Sequence, residues 1–138
     1  MAEAQRYPYS SGENAADATD LMPYLPFTIE RAGKSLTVSG LLDTGATVNV
    51  LPFNTGHELG AVWEQQTTVI KLGGNLARQE ARGVLLDATV AGFAPVRLAF
   101  AWVSSDDVPL ILGQVNFFLE FDVCFYRSQK MFEVKPKV

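Results

Sequence analysis

The sequence predicts an all-β domain, either a sandwich or a small closed barrel, and three observations carry that prediction. Apolar and β-branched residues come in short runs, several of them alternating with polar residues. Glycine, proline and asparagine turns separate the runs at fairly regular intervals, and little of the chain has a helical period. The 138 residues suit one domain, and 48% of them are hydrophobic, enough for a real core.

The elements follow in order. Residues 1–20 are small and polar, with no apolar period, and predict a disordered or loosely attached arm. Pro23 and Pro26 mark the start of the folded domain, residues 21–138. Phe27 to Arg31 alternates, Ala32-Gly33-Lys34 can turn, and Ser35 to Leu42 continues as the second strand of a hairpin. Ala46 to Leu51 is β-branched and apolar and stops at Pro52; Asn54 to Trp63 has room for one helical turn. Thr67 to Leu72 reads as a strand, broken at Gly73-Gly74-Asn75. Arg82 to Val90 and Val96 to Val103 form two more strands around Ala91-Gly92. Ser104 to Asp107 is a polar loop with two solvated acids, and Leu110-Ile111-Leu112 is a short buried run. Gln114 to Glu120 predicts one or two helical turns, and Asp122 to Tyr126 with Lys130 to Val134 makes a last hairpin.

Composition removes several function classes. The formal charge is −4 and the basic residues are scattered, which argues against nucleic acid as partner. No stretch is long and apolar enough for a membrane span, so a soluble cytoplasmic protein is expected. Cys124 is the single cysteine; in its apolar surroundings it reads as a buried thiol acting as a small hydrophobe. His57, the single histidine, reads as a loop residue, and with one His and one Cys no metal site or cofactor is expected.

The residue that needs explaining is Asp43, a carboxylate inside Leu41-Leu42-Asp43-Thr44-Gly45-Ala46-Thr47-Val48. Burying an unpaired charge is costly. One reading is a tight hairpin turn, because a three-residue loop often ends with a left-handed glycine and Asp-Thr-Gly suits it. The other reading is the reacting group of an enzyme.

Context favours the second. The apolar pair and Asp43-Thr44-Gly45-Ala46 are followed by Lys71-Leu72-Gly73-Gly74-Asn75 and then by Ile111-Leu112-Gly113 leading into Gln114-Val115-Asn116-Phe117-Phe118. In order and spacing, from about residue 25 to 135, this resembles the retropepsin-like aspartic proteases, which include retroviral proteases and related bacterial and eukaryotic domains. The resemblance implies a closed β-barrel with a flap hairpin and a short helix after the Ile-Leu-Gly element. It implies that Asp43 is catalytic, supported by Thr44, Gly45 and Ala46. It places Gly73, Gly74 and Asn75 at the tip of a flap, and Ile111, Leu112 and Gly113 beneath the catalytic loop.

Such an enzyme needs two carboxylates, and the chain has one Asp-Thr-Gly. The resemblance therefore implies a homodimer in which two copies of Asp43 meet on a twofold axis and cleave a polypeptide substrate. Retroviral members carry an Asp directly after Asp-Thr-Gly-Ala and an Arg after the Ile-Ile-Gly element. Thr47 and Gln114 stand at those positions here, so a neutral Thr–Gln contact is expected in place of an ion pair. The arm lacks an apolar terminal strand, which leaves the C-terminal hairpin as the candidate interface. The rival readings are a catalytically silent dimerisation or peptide-binding module of the same fold, and a different β-barrel whose Asp-Thr-Gly is only a turn.

Overall fold

A computed structural model describes residues 3–11 and 21–138. Its first strand, β1 (Gln5–Pro8), lies within the segment expected to be loose, and corrects that expectation for these residues. β1 pairs antiparallel with the C-terminal strand β10 (Met131–Pro136), Gln5 opposite Val134 and Pro8 opposite Met131. Aromatic burial explains the attachment. Tyr7 stacks on Phe132 with ring centroids 5.4 Å apart, Tyr9 tilts against the same ring at 6.1 Å, and the Arg127 guanidinium sits 5.4 Å over Tyr9. Burial also pushes the Tyr7 phenol above its ordinary pKa. Arg6 Nε donates to Glu133 at 2.6 Å on the outer face, an exposed pair that adds little to stability. The remainder of the expected arm, residues 1–2 and 12–20, lies outside the described residues.

The main sheet starts with a hairpin of β2 (Tyr24–Arg31) and β3 (Lys34–Leu42), turning at Ala32-Gly33, both with positive φ. That is the turn geometry whose twist matches paired strands. Alternation is strict in β2: Leu25, Phe27 and Ile29 are buried while Pro26 and Glu30 are exposed. β4 (Asn49–Leu51) is followed by the helix α1 (Phe53–Glu58), and β5 (Val69–Ile70) precedes the long β6 (Ala81–Thr89) and β7 (Val96–Val103). β8 (Ile111–Leu112) leads to a short helix, α2 (Phe117–Glu120), and then to β9 (Phe121–Tyr126). The sheet order is β2-β3-β8-β4-β7-β6, and β6 pairs back onto β2 through Thr28–Thr89 and Glu30–Asp87, closing a barrel. β5 hangs off β6 at its open end, and β1-β10-β9 form a separate three-stranded sheet. The all-β closed barrel expected from sequence is therefore the observed architecture.

Two apolar clusters hold it. The larger fills the barrel around Leu25, Ile29, Leu86, Leu98, Phe100, Trp102 and Leu112 and reaches Phe117, Phe121 and Phe132 under the small sheet. The smaller joins Val50, Ala101, Val103, Val108 and Ile111, with Leu72 and Leu76 resting on it. Expected strands at 46–51 and 67–72 are shorter than the apolar runs that suggested them, because only Asn49–Leu51 and Val69–Ile70 find strand partners.

Three local readings change. Cys124 is exposed, because β9 pairs with β10 alone among the described residues and turns this side chain outward from an edge strand. His57 lies on α1 rather than in a loop, and its ring stacks on Phe53, which stacks in turn on Trp102 at 5.4 Å. Asp106 is not merely solvated: its Oδ1 accepts the Asn54 N–H at 2.8 Å at the start of α1. Among the described residues no helix is long and apolar enough to cross a membrane.

Because Tyr9 is buried against Phe132, Tyr9→Ala should cost about 2–4 kcal/mol in a denaturant melt. A loosely tethered arm would leave the midpoint unchanged.

Candidate active site

Asp43 does not sit in a hairpin turn. β3 and β4, the strands on either side of it, are not paired with each other; β8 lies between them, parallel to β3 and antiparallel to β4. The loop from Asp43 to Val48 must therefore pass around the end of β8. Backbone bonds fix it from both sides. Leu41 N–H donates to Leu110 O at 2.9 Å and Asp43 N–H to Leu112 O at 3.0 Å. Beyond β8, Gln114 N–H donates to Ala46 O at 2.9 Å and Val115 N–H to Thr47 O at 2.7 Å.

This crossing dictates Gly113. A Cβ built there would lie 2.6 Å from Val48 O and 2.9 Å from Ala46 O, both backbone atoms that cannot rotate away. Ile111, Leu112 and Gly113 are all buried, and backbone bonds join this element and the residues after it to the Asp43 loop.

A second support was missed in the sequence. Asn49 is fully buried, the one polar side chain in that state among the described residues. Its Oδ1 accepts Gly113 N–H at 2.8 Å and its Nδ2 donates to Ala99 O at 3.1 Å. Asn116, held at φ 78°, completes the arrangement by accepting Ala99 N–H on its Oδ1 at 3.0 Å. Asparagine tolerates that left-handed backbone better than most residues. Ala99 pairs with Leu85 of β6, and on its other side, where the β4 ladder starts only at Phe100, the two asparagine side chains bond its backbone. The signal was present, since an amide between Val48 and Val50 must be satisfied if buried.

Within the loop, Gly45 N–H donates to Asp43 Oδ1 at 2.9 Å, an Asx-type turn that orients the carboxylate. A Cβ at position 45 would come within 3.3 Å of that same oxygen. Asp43 itself is half-buried, while Thr44 and Gly45 are exposed. The expected Thr47–Gln114 side-chain contact is not what forms. Gln114 Nε2 reaches instead to Thr44 O at 2.8 Å, and Thr47 meets this segment through its own carbonyl. A neutral amide therefore braces the tip of the loop, with no buried charge needing a partner.

Asp43 lies between two hollows. On one side is a cleft of about 740 Å³ whose wall includes Val48, Val50, Val108 and Ile111 and whose lining continues through residues 71–76 of the loop between β5 and β6. Gly73, Gly74 and Asn75 all line it, Gly74 with a positive φ of 59° at the start of a 3-10 turn. On the other side is an apolar hollow of about 310 Å³ formed by Met22, Leu41, Leu42, Asp43, Thr44 and Phe125. Met22 and Phe125 are large apolar residues left exposed, and nothing in the sequence tied either to Asp43.

Comparison with known proteins agrees with this geometry. No family model and no curated protein matches the sequence. Among solved structures, the chain is similar to a retropepsin-like aspartic protease from Rickettsia conorii, with a TM-score of 0.62 and 11% identity over 97% of this chain and 92% of the other. It is also similar to the EIAV protease complexed with the inhibitor HBY-793, with a TM-score of 0.54 and 19% identity over 71% of this chain and 86% of the other.

The close packing at Gly113 gives a direct test. Gly113→Ala should destabilise the fold by about 1–3 kcal/mol or more through overpacking, and Asn49→Leu by about 1–3 kcal/mol through unpaired backbone groups. Thermal and denaturant melts of both variants measure this; a wild-type midpoint for either would contradict the arrangement. The crossing of β8 between β3 and β4, with Asp43 at its end, is the retropepsin-like fold.

Proposed function

We propose that the chain is an aspartic endopeptidase that works as a homodimer, with Asp43 of each copy forming the catalytic pair. The observation that carries this is the position of Asp43, oriented by Gly45 N–H and set between a long cleft and an apolar hollow edged by exposed Met22 and Phe125. One chain supplies one carboxylate. A second copy seated over the hollow would bring its own Asp43 alongside, and would cover apolar surface that is otherwise wet.

Two carboxylates brought together in this way share one proton and carry one negative charge between them. The ionised oxygen takes a proton from a water held between the pair, and the water oxygen attacks the scissile carbonyl. The protonated partner donates to the carbonyl oxygen, giving a tetrahedral diol. Collapse of the diol breaks the C–N bond as the leaving nitrogen is protonated. Thr44, exposed at the loop tip, is placed to bond the opposite loop, and Gly45 lets the substrate backbone approach.

The loop of residues 71–80 would act as the flap. Only Leu72 and Leu76 rest on the smaller apolar cluster, so it can lift at modest cost and close over an extended peptide. The interface would include β9, an edge strand bearing exposed Phe125 and beginning just after exposed Leu119. This gives the C-terminal hairpin the part that the polar arm does not take, since β1 lies at the far edge of the same sheet. No cofactor is called for. A single cysteine, free in the structure, suits a reducing compartment such as the cytoplasm.

Two measurements test the reading. Asp43→Asn should lower cleavage of a diverse peptide pool by at least ~100-fold while leaving the melting temperature and the dimer intact. Equal cleavage by wild type and variant, or by neither, would remove the catalytic role of Asp43. Phe125→Lys should shift the sedimenting species from dimer to monomer and reduce cleavage in proportion; a wild type that stays monomeric at high concentration would contradict the mechanism.

A further inference from the structure

The cleft beside Asp43 is walled mainly by apolar side chains, but it carries two other charges on separate loops. Lys71 lies at the start of the loop that covers the cleft, and Asp107 lies next to Val108 on the loop after β7. Both are exposed, and among the described residues neither takes part in an ion pair. The Asp107 backbone N–H donates to Ser105 Oγ at 3.0 Å, while the neighbouring Asp106 is engaged at α1. Next to it, Val108 is buried in the smaller apolar cluster, which anchors the loop to the cleft wall.

Resting on the proposed peptidase activity, we infer that Asp107 and Lys71 select the charge of the substrate residues flanking an apolar one. In the open cleft each charge is hydrated and costs nothing. A peptide laid along the cleft displaces part of that water, and the loss is repaid only where the peptide offers an opposite charge. A like charge adds repulsion, so discrimination comes from rejection as much as attraction. The substrate class is an extended peptide with an apolar side chain against Val50, Val108 and Ile111, a lysine or arginine reaching Asp107, and an acidic residue reaching Lys71.

The test is a set of peptides sharing one apolar core, in which each flanking position in turn carries lysine, serine or glutamate. They are presented to wild type, Asp107→Asn, Asp107→Lys and Lys71→Glu. At one flanking position wild type should prefer lysine over glutamate by roughly tenfold, attraction and repulsion each contributing, and the ratio should shrink in high salt. Asp107→Asn should flatten the ratio and Asp107→Lys should invert it. Lys71→Glu should do the same for the preference for glutamate at a different position. Ratios unmoved by these substitutions overturn the inference. If wild type cleaves no peptide, the peptidase reading fails separately, and fluorescence-anisotropy binding of the same labelled peptides decides the charge question. A preference that follows the substitutions upholds the selectivity, and its absence or a lack of binding overturns it.

Discussion

The structure depends on one close crossing: β8 threaded between β3 and β4, with Gly113 pressed under the carbonyls of Ala46 and Val48. A two-residue strand contributes few bonds of its own. It holds because both its edges are paired, because Leu112 is fully buried in the barrel, and because Asn49 supplies the bond that Gly113 N–H would otherwise lack. The same contacts that close the barrel therefore set the position of Asp43. Backbone bonds at Leu41, Asp43, Gln114 and Val115 leave the loop between 43 and 48 little freedom, so the carboxylate is placed by the fold and not by its own rotamer preference alone.

The two apolar clusters divide the work unevenly. The barrel cluster is large and aromatic, and it extends through Phe117, Phe121 and Phe132 to hold both edges of the small sheet. The cluster below the cleft is smaller and largely aliphatic, and its upper side is completed by Leu72 and Leu76 from the covering loop. Rigid support thus lies under Asp43, whereas the cover is held by a pair of leucines and a short ladder from Val69–Ile70 to Ala81–Arg82. Local stability varies across a protein in this way, and the loop proposed as a flap lies at the weakly held end.

Much of the fold could be read from the chain. Alternation in Phe27–Arg31 and Arg82–Val90 gave the strands because period two reports a face directly. Positions 43–46 and 111–113 were linked by their order along the chain, and backbone bonds do join the two segments. What escaped the reading was whatever depends on contacts distant in sequence. The attachment of Tyr7 and Tyr9 depends on Phe132, more than a hundred residues away, and a small polar segment gives no local sign of it. Cys124 sits in an apolar run, but which side of that run faces outward is decided by β9 lying at a sheet edge. Asn49 and Asn116 look like ordinary polar residues until Ala99 is seen to have no β4 partner beside it. The Thr47–Gln114 pairing failed for a related reason: spacing brought the two segments together, but backbone geometry decided that Gln114 would brace Thr44.

The cost of the acid is also distributed by this architecture. In a single chain Asp43 is half-buried at the junction of two open hollows, and its Oδ1 is bonded to Gly45 N–H. Folding one chain therefore does not require an unpaired charge to leave water, and the chain can keep its acid in an apolar run at small cost. In the proposed dimer the desolvation comes later, when Met22, Phe125 and the Asp43 loop are covered together, and the burial of apolar surface at that step offsets it. Sharing a proton halves the charge that has to be buried. Assembly of the site and the penalty for its chemistry then fall on one equilibrium, so activity would rise with the concentration of folded chain, and by mass action the apparent stability of the chain would rise with it.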